Sequence, residues 1–395
     1  METNMIRYIP TMPTPPRVAI KRYRRFTGWD YSRGASLFIT IATAPRHAHF
    51  GHIKEGKVEL SALGKIVQES LELIPRLNPG IRLFGHVVMP DHIHLNVHID
   101  AGLAEPLRAL GKAISRFKNH TTKQAKLLGL IGHSPIINMP ATQGCATQQT
   151  MKAHADRCAM TQATEASGDG QAGPQAAEAS GDGRAVPVLL WQQGYHDRLC
   201  LTREFIESTE RYIAYNPLKW ELMYGTHADG LRIHEPLDVP CLDAADYWKG
   251  VGNVALLQGK IVSLRVSREV RTPQQIATVV ARMKNAAEKG YTILSGFISP
   301  GEKAVRDMLC ANPGARFIRI LPSCIPNARF KPESRYVRAF AEGRYLEIAK
   351  GNDEVAFDRT ACLDYNAEIT RIANAGDSGL ALYWKGDGAH RLPTK

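Results

Sequence analysis

The sequence predicts an α+β protein, with a mixed strand-and-helix region in its first half and a Rossmann-like α/β domain in its last third. Three observations lead there. At 395 residues the chain exceeds one ordinary folding unit, taken as about 150 residues. Its 44% hydrophobic and 22% charged residues suffice for real cores. Its hydrophobic period switches repeatedly between 2 and 3.6, and in the last third the two patterns strictly alternate.

Composition narrows the function. Lysine and arginine number 50 against 38 aspartate and glutamate, a net charge of +12 that suits a polyanionic partner. The seven cysteines are odd in number and contain no Cys-x-x-Cys pair. A zinc ribbon, a disulfide scaffold and a thioredoxin-type site are therefore not expected. No run of 18 apolar residues occurs, and the start METNMIRYIPTMPTPPR lacks a signal peptide's apolar stretch. These features predict a soluble, cytoplasmic, nucleoid-associated protein with no membrane partner.

The elements follow in order. Residues 1–33 carry Arg7, Arg17, Lys21, Arg22, Arg24, Arg25 and Arg33, with prolines at 10, 13, 15 and 16, and read as an extended basic arm or as an ordinary solvated terminus. Residues 34–225 form the next region. GASLFITIATA alternates as a strand, and FGHIKEGKVEL reads as a hairpin around Glu55-Gly56. Ser61 caps a helix over 62–75 with Leu63, Ile66, Val67, Leu71 and Ile74 on one face. Two strands flank Met89-Pro90, and a helix over 103–127 bears Arg108, Lys112, Arg116, Lys118 and Lys123. Residues 135–187 are poor in apolar side chains and repeat Glu-Ala-Ser-Gly-Asp-Gly at 165–170 and 178–183, which predicts a disordered insertion. A helix from Thr202 is expected to stop at Asn216-Pro217. Residues 226–247 read as a linker. From 248 to 395, strand-like and helix-like stretches alternate as in parallel βαβ units.

Chemistry concentrates in DHIHLNVHID. Ile93, Leu95, Val97 and Ile99 point one way, and His92, His94, Asn96, His98 and Asp100 the other. Two imidazoles at i and i+2 reach one metal ion; equally, such a face belongs to a half-buried strand with its polar side in water.

RRFTGWDYSRG, SLFITIAT, FGHIKEG, HVVMPDHIHL, FKNHTTK, LLWQQGYHDR and RYIAYNPLKW occur in this order. Together they closely resemble the REP-associated tyrosine transposases, a branch of the single-tyrosine HUH transposases, over about 24–220. The resemblance implies a ferredoxin-like HUH endonuclease domain, an antiparallel sheet with helices on one face. It also implies cleavage and rejoining of single-stranded DNA beside hairpins such as REP-like palindromes, through a 5′-phosphotyrosine, with Mg²⁺ or Mn²⁺ as cofactor. By position, His92 and His94 resemble the metal ligands and Tyr212 the nucleophile. Some relatives exchange the tyrosine helix between subunits, so a homodimer is an option.

Tyr215 is the rival nucleophile. Asn216 lies four residues after Tyr212, about 40° around a helix, where its amide oxygen would complete a metal shell; single-tyrosine relatives carry a glutamine ligand at this spacing. Asn-Pro also ends helices with no metal role. The chain departs from the family at Asp91, where asparagine is common, and at Asp197-Arg198, where Asp-His is common, leaving His196 and Asp197 as site neighbours only. Arg22, Arg24, Arg25, Lys112, Arg116 and Lys118 are candidate DNA contacts, while Trp191 and Trp220 either stack on bases or fill the core.

VSREV, YTILSGFISPGEKAV and RILPSCIPN resemble the nucleotide-fold domain of the DNA-processing protein A family. That likeness makes Ser267, Arg268, Ser295, Gly296 and Gly301 candidate nucleotide contacts at strand ends, where open α/β sheets bind ligands; a scaffold without ligand is the competing reading. Two other functions stay open: a non-catalytic binder of single-stranded DNA hairpins, and a nucleotide-binding enzyme acting through the C-terminal domain.

Overall fold

The computed structural model describes residues 28–44, 47–131, 189–225, 231–322, 324–325, 330–351, 359–375, 379–386 and 388–391. Arg22, Arg24, Arg25 and the segment 135–187 lie outside the described residues. The described residues up to Ala125 and from Leu189 onward belong to one compact body. No helix among the described residues is long and apolar enough to cross a membrane.

The first region contains β1 (Ala35–Ala42), β2 (Gly51–Lys54), β3 (Lys57–Leu60), α1 (Ala62–Leu77), β4 (Ile81–Val88), β5 (His92–Ile99), α2 (Pro106–Leu127), β6 (His196–Leu199) and α3 (Arg203–Tyr224). Four strands form an antiparallel sheet in the order β4-β5-β1-β6, the split β-α-β arrangement of ferredoxin-like folds. Register pairs Leu37, Ile39 and Ile41 with Val97, Leu95 and Ile93, so one face is apolar and all six side chains are buried. The buried stripe of α1 (Leu63, Val67, Leu71, Ile74) covers this side. Ser61 caps α1 by accepting from the Gly64 amide at 3.0 Å. The hairpin turns at Glu55 and Gly56, both at positive φ (51° and 71°).

Helix α3 lies on the opposite, polar face. It corrects the expectation that it stops at Asn216-Pro217: it starts at the Thr202 cap and runs through Pro217 to Tyr224. An internal proline costs about 3 kcal/mol. Beyond it, Leu222 and Met223 are each 2% exposed in the core beneath the second sheet, and burying each contributes about 1.5–3 kcal/mol. Packing outweighs the break.

The second sheet holds eight strands, β7 (Ile233–His234), β8 (Trp248–Gly252), β9 (Ile261–Val266), β10 (Thr292–Ser295), β11 (Arg316–Ile320), β12 (Tyr345–Lys350), β13 (Leu380–Lys385) and β14 (Gly388–Arg391). Their order is β14-β13-β9-β10-β11-β12-β8-β7, with β13 through β12 parallel and antiparallel strands at both edges. Helices α4 (Pro273–Glu288), α5 (Pro300–Ala311), α6 (Val337–Ala341) and α7 (Arg359–Asn374) complete a Rossmann-like α/β region. Separate apolar cores occupy its two faces. Residues 231–247 do not behave as the expected linker: they supply β7, and Leu231, Leu237, Val239, Cys241 and Leu242 are buried in those cores.

Candidate active site

Strand β5 presents His92, His94, Asn96 and His98 on the polar face, with Thr40, Phe38 and Ser36 of β1 opposite His94, Asn96 and His98. The Nε2 atoms of His92 and His94 are 3.0 Å apart. Behind them, His92 Nδ1 lies 2.5 Å from Asp91 Oδ1 and His94 Nδ1 lies 2.9 Å from Thr40 Oγ1. A carboxylate only accepts, so His92 donates from Nδ1 and, when neutral, carries its lone pair on Nε2. Thr40 can accept from His94 in the same way, and such backing is how proteins orient metal-binding imidazoles.

Two nitrogens about 2.1 Å from one ion, at right angles, stand about 3.0 Å apart. The pair therefore fits a shared divalent ion. Among the described residues, no group of three or more His, Cys, Asp or Glu side chains is gathered as a metal cage, so further ligands would come from an amide, water or substrate. Asp91 backs the His92 ring rather than joining the Nε2 side.

Helix α3 brings Tyr212 to this pair. Its ring centroid is 5.1 Å from that of His94 and 5.8 Å from that of Phe38, both edge-on. Asn216 follows one turn later and is 8% exposed. Tyr215 turns elsewhere. It packs against the core of the second sheet and is a hydrogen-bond partner of Arg338 on α6, whose main partner is Glu342 at 2.7 Å. His98 stands apart as well: its Nδ1 is 2.9 Å from Ser36 Oγ, and burial, with Arg82 nearby, holds its pKa below the usual histidine value.

Several other sequence candidates are not brought to this face. Helix α2 exposes Lys112, Arg116 and Lys123, and Arg116 reaches Asn78 Oδ1 at 3.2 Å. Lys118 instead donates to the carbonyls of Gln192, at 2.8 Å, and Gly194, and burial pulls its pKa down to about 8. Trp191 is a core residue that donates to Thr121 Oγ1 at 2.9 Å and packs against Phe50 and Phe117. Trp220 lies against Tyr224. On β6, His196 pairs with Thr40 and shares the polar face, while Asp197 pairs with Ile39 and points to the other side.

At the second sheet's strand ends, the residues expected to contact a nucleotide have internal duties. Ser267 Oγ accepts from the Glu269 amide and Ser295 Oγ from the Phe297 amide, each at 3.2 Å; Arg268 offers its carbonyl to Arg271. Any side chain at Gly296 would collide with the Tyr365 hydroxyl, and one at Gly301 would come 2.8 Å from Val266. Glu302 lies among the backbone amides at the start of α5. One carboxylate oxygen accepts from Val266 N at 2.8 Å, the other from Ile298 N at 2.7 Å and Ser299 N at 3.4 Å. Burial pushes the Glu302 pKa up, and these amide bonds oppose that rise. The Ser299-x-x-Glu302 capping box was a readable signal for this arrangement. Phe38, Thr40 and Lys219 are the site neighbours that sequence reasoning missed. All three carried a periodic signal, Phe38 and Thr40 on the polar face of an alternating strand and Lys219 seven residues after Tyr212.

No protein-family profile matches the chain. An uncharacterized protein of Haemophilus influenzae (strain ATCC 51907 / DSM 11121 / KW20 / Rd) is 29% identical over 123 residues, 27% of this chain and 68% of the relative. Among solved structures, DNA processing protein A from Helicobacter pylori, described for its single-stranded DNA binding mode, aligns at TM-score 0.31 and 15% identity, over 39% of this chain and 70% of that one. A REP-associated tyrosine transposase bound to a REP hairpin aligns at TM-score 0.26 and 14% identity, over 51% of this chain and 74% of that one. DNA processing protein A from Streptococcus pneumoniae aligns at TM-score 0.28 and 17% identity, over 44% and 60%.

Proposed function

We propose that the chain is a single-tyrosine HUH transposase, cleaving and rejoining single-stranded DNA beside hairpins with a divalent metal. The observation that carries this reading is the Tyr212 ring lying 5.1 Å from His94, whose Nε2 faces that of His92 at 3.0 Å. A nucleophile and a metal-binding pair thus meet on one face of the sheet.

His92 Nε2, His94 Nε2 and the Asn216 amide oxygen would hold the ion. Mg²⁺ or Mn²⁺ there would polarise the scissile phosphate, an effect on the order of several kcal/mol in such sites. Tyr212 gives its phenolic proton to solvent as its oxygen bonds to phosphorus. The P–O3′ bond breaks and the 3′ oxygen takes up a proton, leaving a 3′-hydroxyl and a 5′-phosphotyrosyl link. Another 3′-hydroxyl reverses the step, and rejoining needs no ATP because the phosphodiester-type bond is conserved. Asp91 and Thr40 orient the rings, and Phe38 packs against Tyr212.

The test incubates the full chain with a labelled single-stranded hairpin from the gene's own flanking DNA and Mn²⁺ or Mg²⁺. Cleavage should require the metal and vanish in His92→Ala and His94→Ala. EDTA-resistant cleavage by either variant would overturn the assignment, and tight hairpin binding without any cleavage would make the protein a binder only.

A further inference from the structure

We propose that Lys219 is a further residue of this site, a cation that the second region holds beside Tyr212 to offset the charge of the phosphate being transferred. The proposal rests on the reading above. Tyr212, Asn216 and Lys219 stand at i, i+4 and i+7 of α3; seven residues turn a helix through nearly two full turns, so the first and last share one face. The geometry agrees: the Lys219 ammonium lies 5.9 Å from the Tyr212 ring centroid, within the range of a cation–π contact.

The ammonium is also held from outside its own region. Lys219 Nζ donates to the Pro332 carbonyl at 2.7 Å. The next residue, Glu333, accepts from Arg319 of β11 at 2.7 Å and pairs with Arg335 at 3.3 Å, which ties that loop to the second sheet. Nearby Arg338 is committed to Glu342 and Tyr215.

The chemistry at Tyr212 gives such a cation a task. As the phenolic oxygen bonds to phosphorus, negative charge spreads over the non-bridging oxygens beside the ring. A half-buried ammonium on a flexible four-carbon stem stabilises that charge more than a solvated one would. Losing one pre-placed charge or donor of this kind costs roughly a hundredfold in rate. Through the Pro332 contact, the second region becomes part of the nuclease centre rather than a passenger.

The experiment measures single-turnover adduct formation by the full chain on the labelled flanking hairpin with Mn²⁺, alongside hairpin affinity and melting temperature. Lys219→Ala and Lys219→Met should form adduct roughly a hundredfold more slowly, with affinity within about threefold and only the small drop in melting temperature that loss of the Pro332 bond brings. Lys219→Arg should stay within about tenfold of wild type, and ethylammonium, but not ethanol, should restore the alanine variant at least tenfold. Lys219→Met at wild-type rate would overturn the proposal. So would a slow variant that neither arginine nor ethylammonium rescues, since the lysine would then serve only to dock the loop. If wild type forms no adduct, the transposase reading fails first, and this proposal with it.

Discussion

Replacing Thr40 with valine removes one oxygen behind the histidine pair and little else. Thr40 Oγ1 is 2.9 Å from His94 Nδ1, and His94 is 5% exposed, so bulk water is not at hand to take over the bond. Valine is nearly isosteric, β-branched and well suited to a strand. Two losses follow. A buried ring nitrogen without a partner costs about 1–3 kcal/mol of stability. The tautomer that aims the Nε2 lone pair across the 3.0 Å gap to His92 also loses its support. Partners of metal-binding histidines contribute roughly 10- to 100-fold in affinity, about 1.4–2.7 kcal/mol. Mn²⁺ titration of the full chain at fixed pH, followed by calorimetry, should show that weakening for Thr40→Val. Asp91→Asn should stay within about threefold of wild type, because an amide oxygen at that position still accepts from His92 Nδ1. Unchanged Mn²⁺ affinity in Thr40→Val, with binding abolished by His92→Ala, would refute the orienting role.

Glu302→Ala should destabilise the fold by about 2 kcal/mol, because the amides of Val266, Ile298 and Ser299 lose their acceptor. It should also open an anion site at the start of α5: phosphate should raise the melting temperature of the variant and not of wild type, and equal responses would refute the carboxylate's hold on these amides. For Lys118, the folded pKa near 8 lies below the ordinary lysine value of 10.5, so the unfolded chain holds more protons between those values and stability rises with pH there. Urea unfolding at pH 7.5 and 10 should show wild type gaining relative to Lys118→Met; a pH-independent difference would contradict the burial argument. The thiols of Cys200 and Cys310, both pushed up to about 11 by burial, should resist a thiol reagent at pH 8 until the chain unfolds. Fast labelling of either in the native state would show its surroundings to be open.

Local chemistry with a fixed period was legible in the sequence. The alternation of 92–100 placed both histidines on one face, and Ser61 and Thr202 announced their helix starts. The spacing from Tyr212 to Asn216 needed only helix geometry. What sequence hid were decisions made by distant packing. Pro217 reads as a stop, yet Leu222 and Met223 find a core contributed by the second sheet. Tyr215 looks like an equal of Tyr212 until Arg338, more than 120 residues later, is placed beside it. Lys118 reads as one of a basic series, but the carbonyls that claim it, those of Gln192 and Gly194, lie more than 70 residues later in the chain. Beside the glycine- and serine-rich strand ends, the carboxylate of Glu302 takes the amides of Val266, Ile298 and Ser299. For Pro217 and Lys118, a long-range contact outweighs the local signal.

In the proposed reaction Tyr212, and not Tyr215, bonds to DNA. Mass spectrometry of the adduct trapped on the flanking hairpin tests it directly, together with the paired phenylalanine variants. The expected result is a nucleotide on Tyr212, no adduct from Tyr212→Phe, and cleavage by Tyr215→Phe within roughly tenfold of wild type, about 1.4 kcal/mol in the barrier. A nucleotide on Tyr215 would contradict the choice of nucleophile, and cleavage with no adduct on either tyrosine would make water the nucleophile and end the transposase reading.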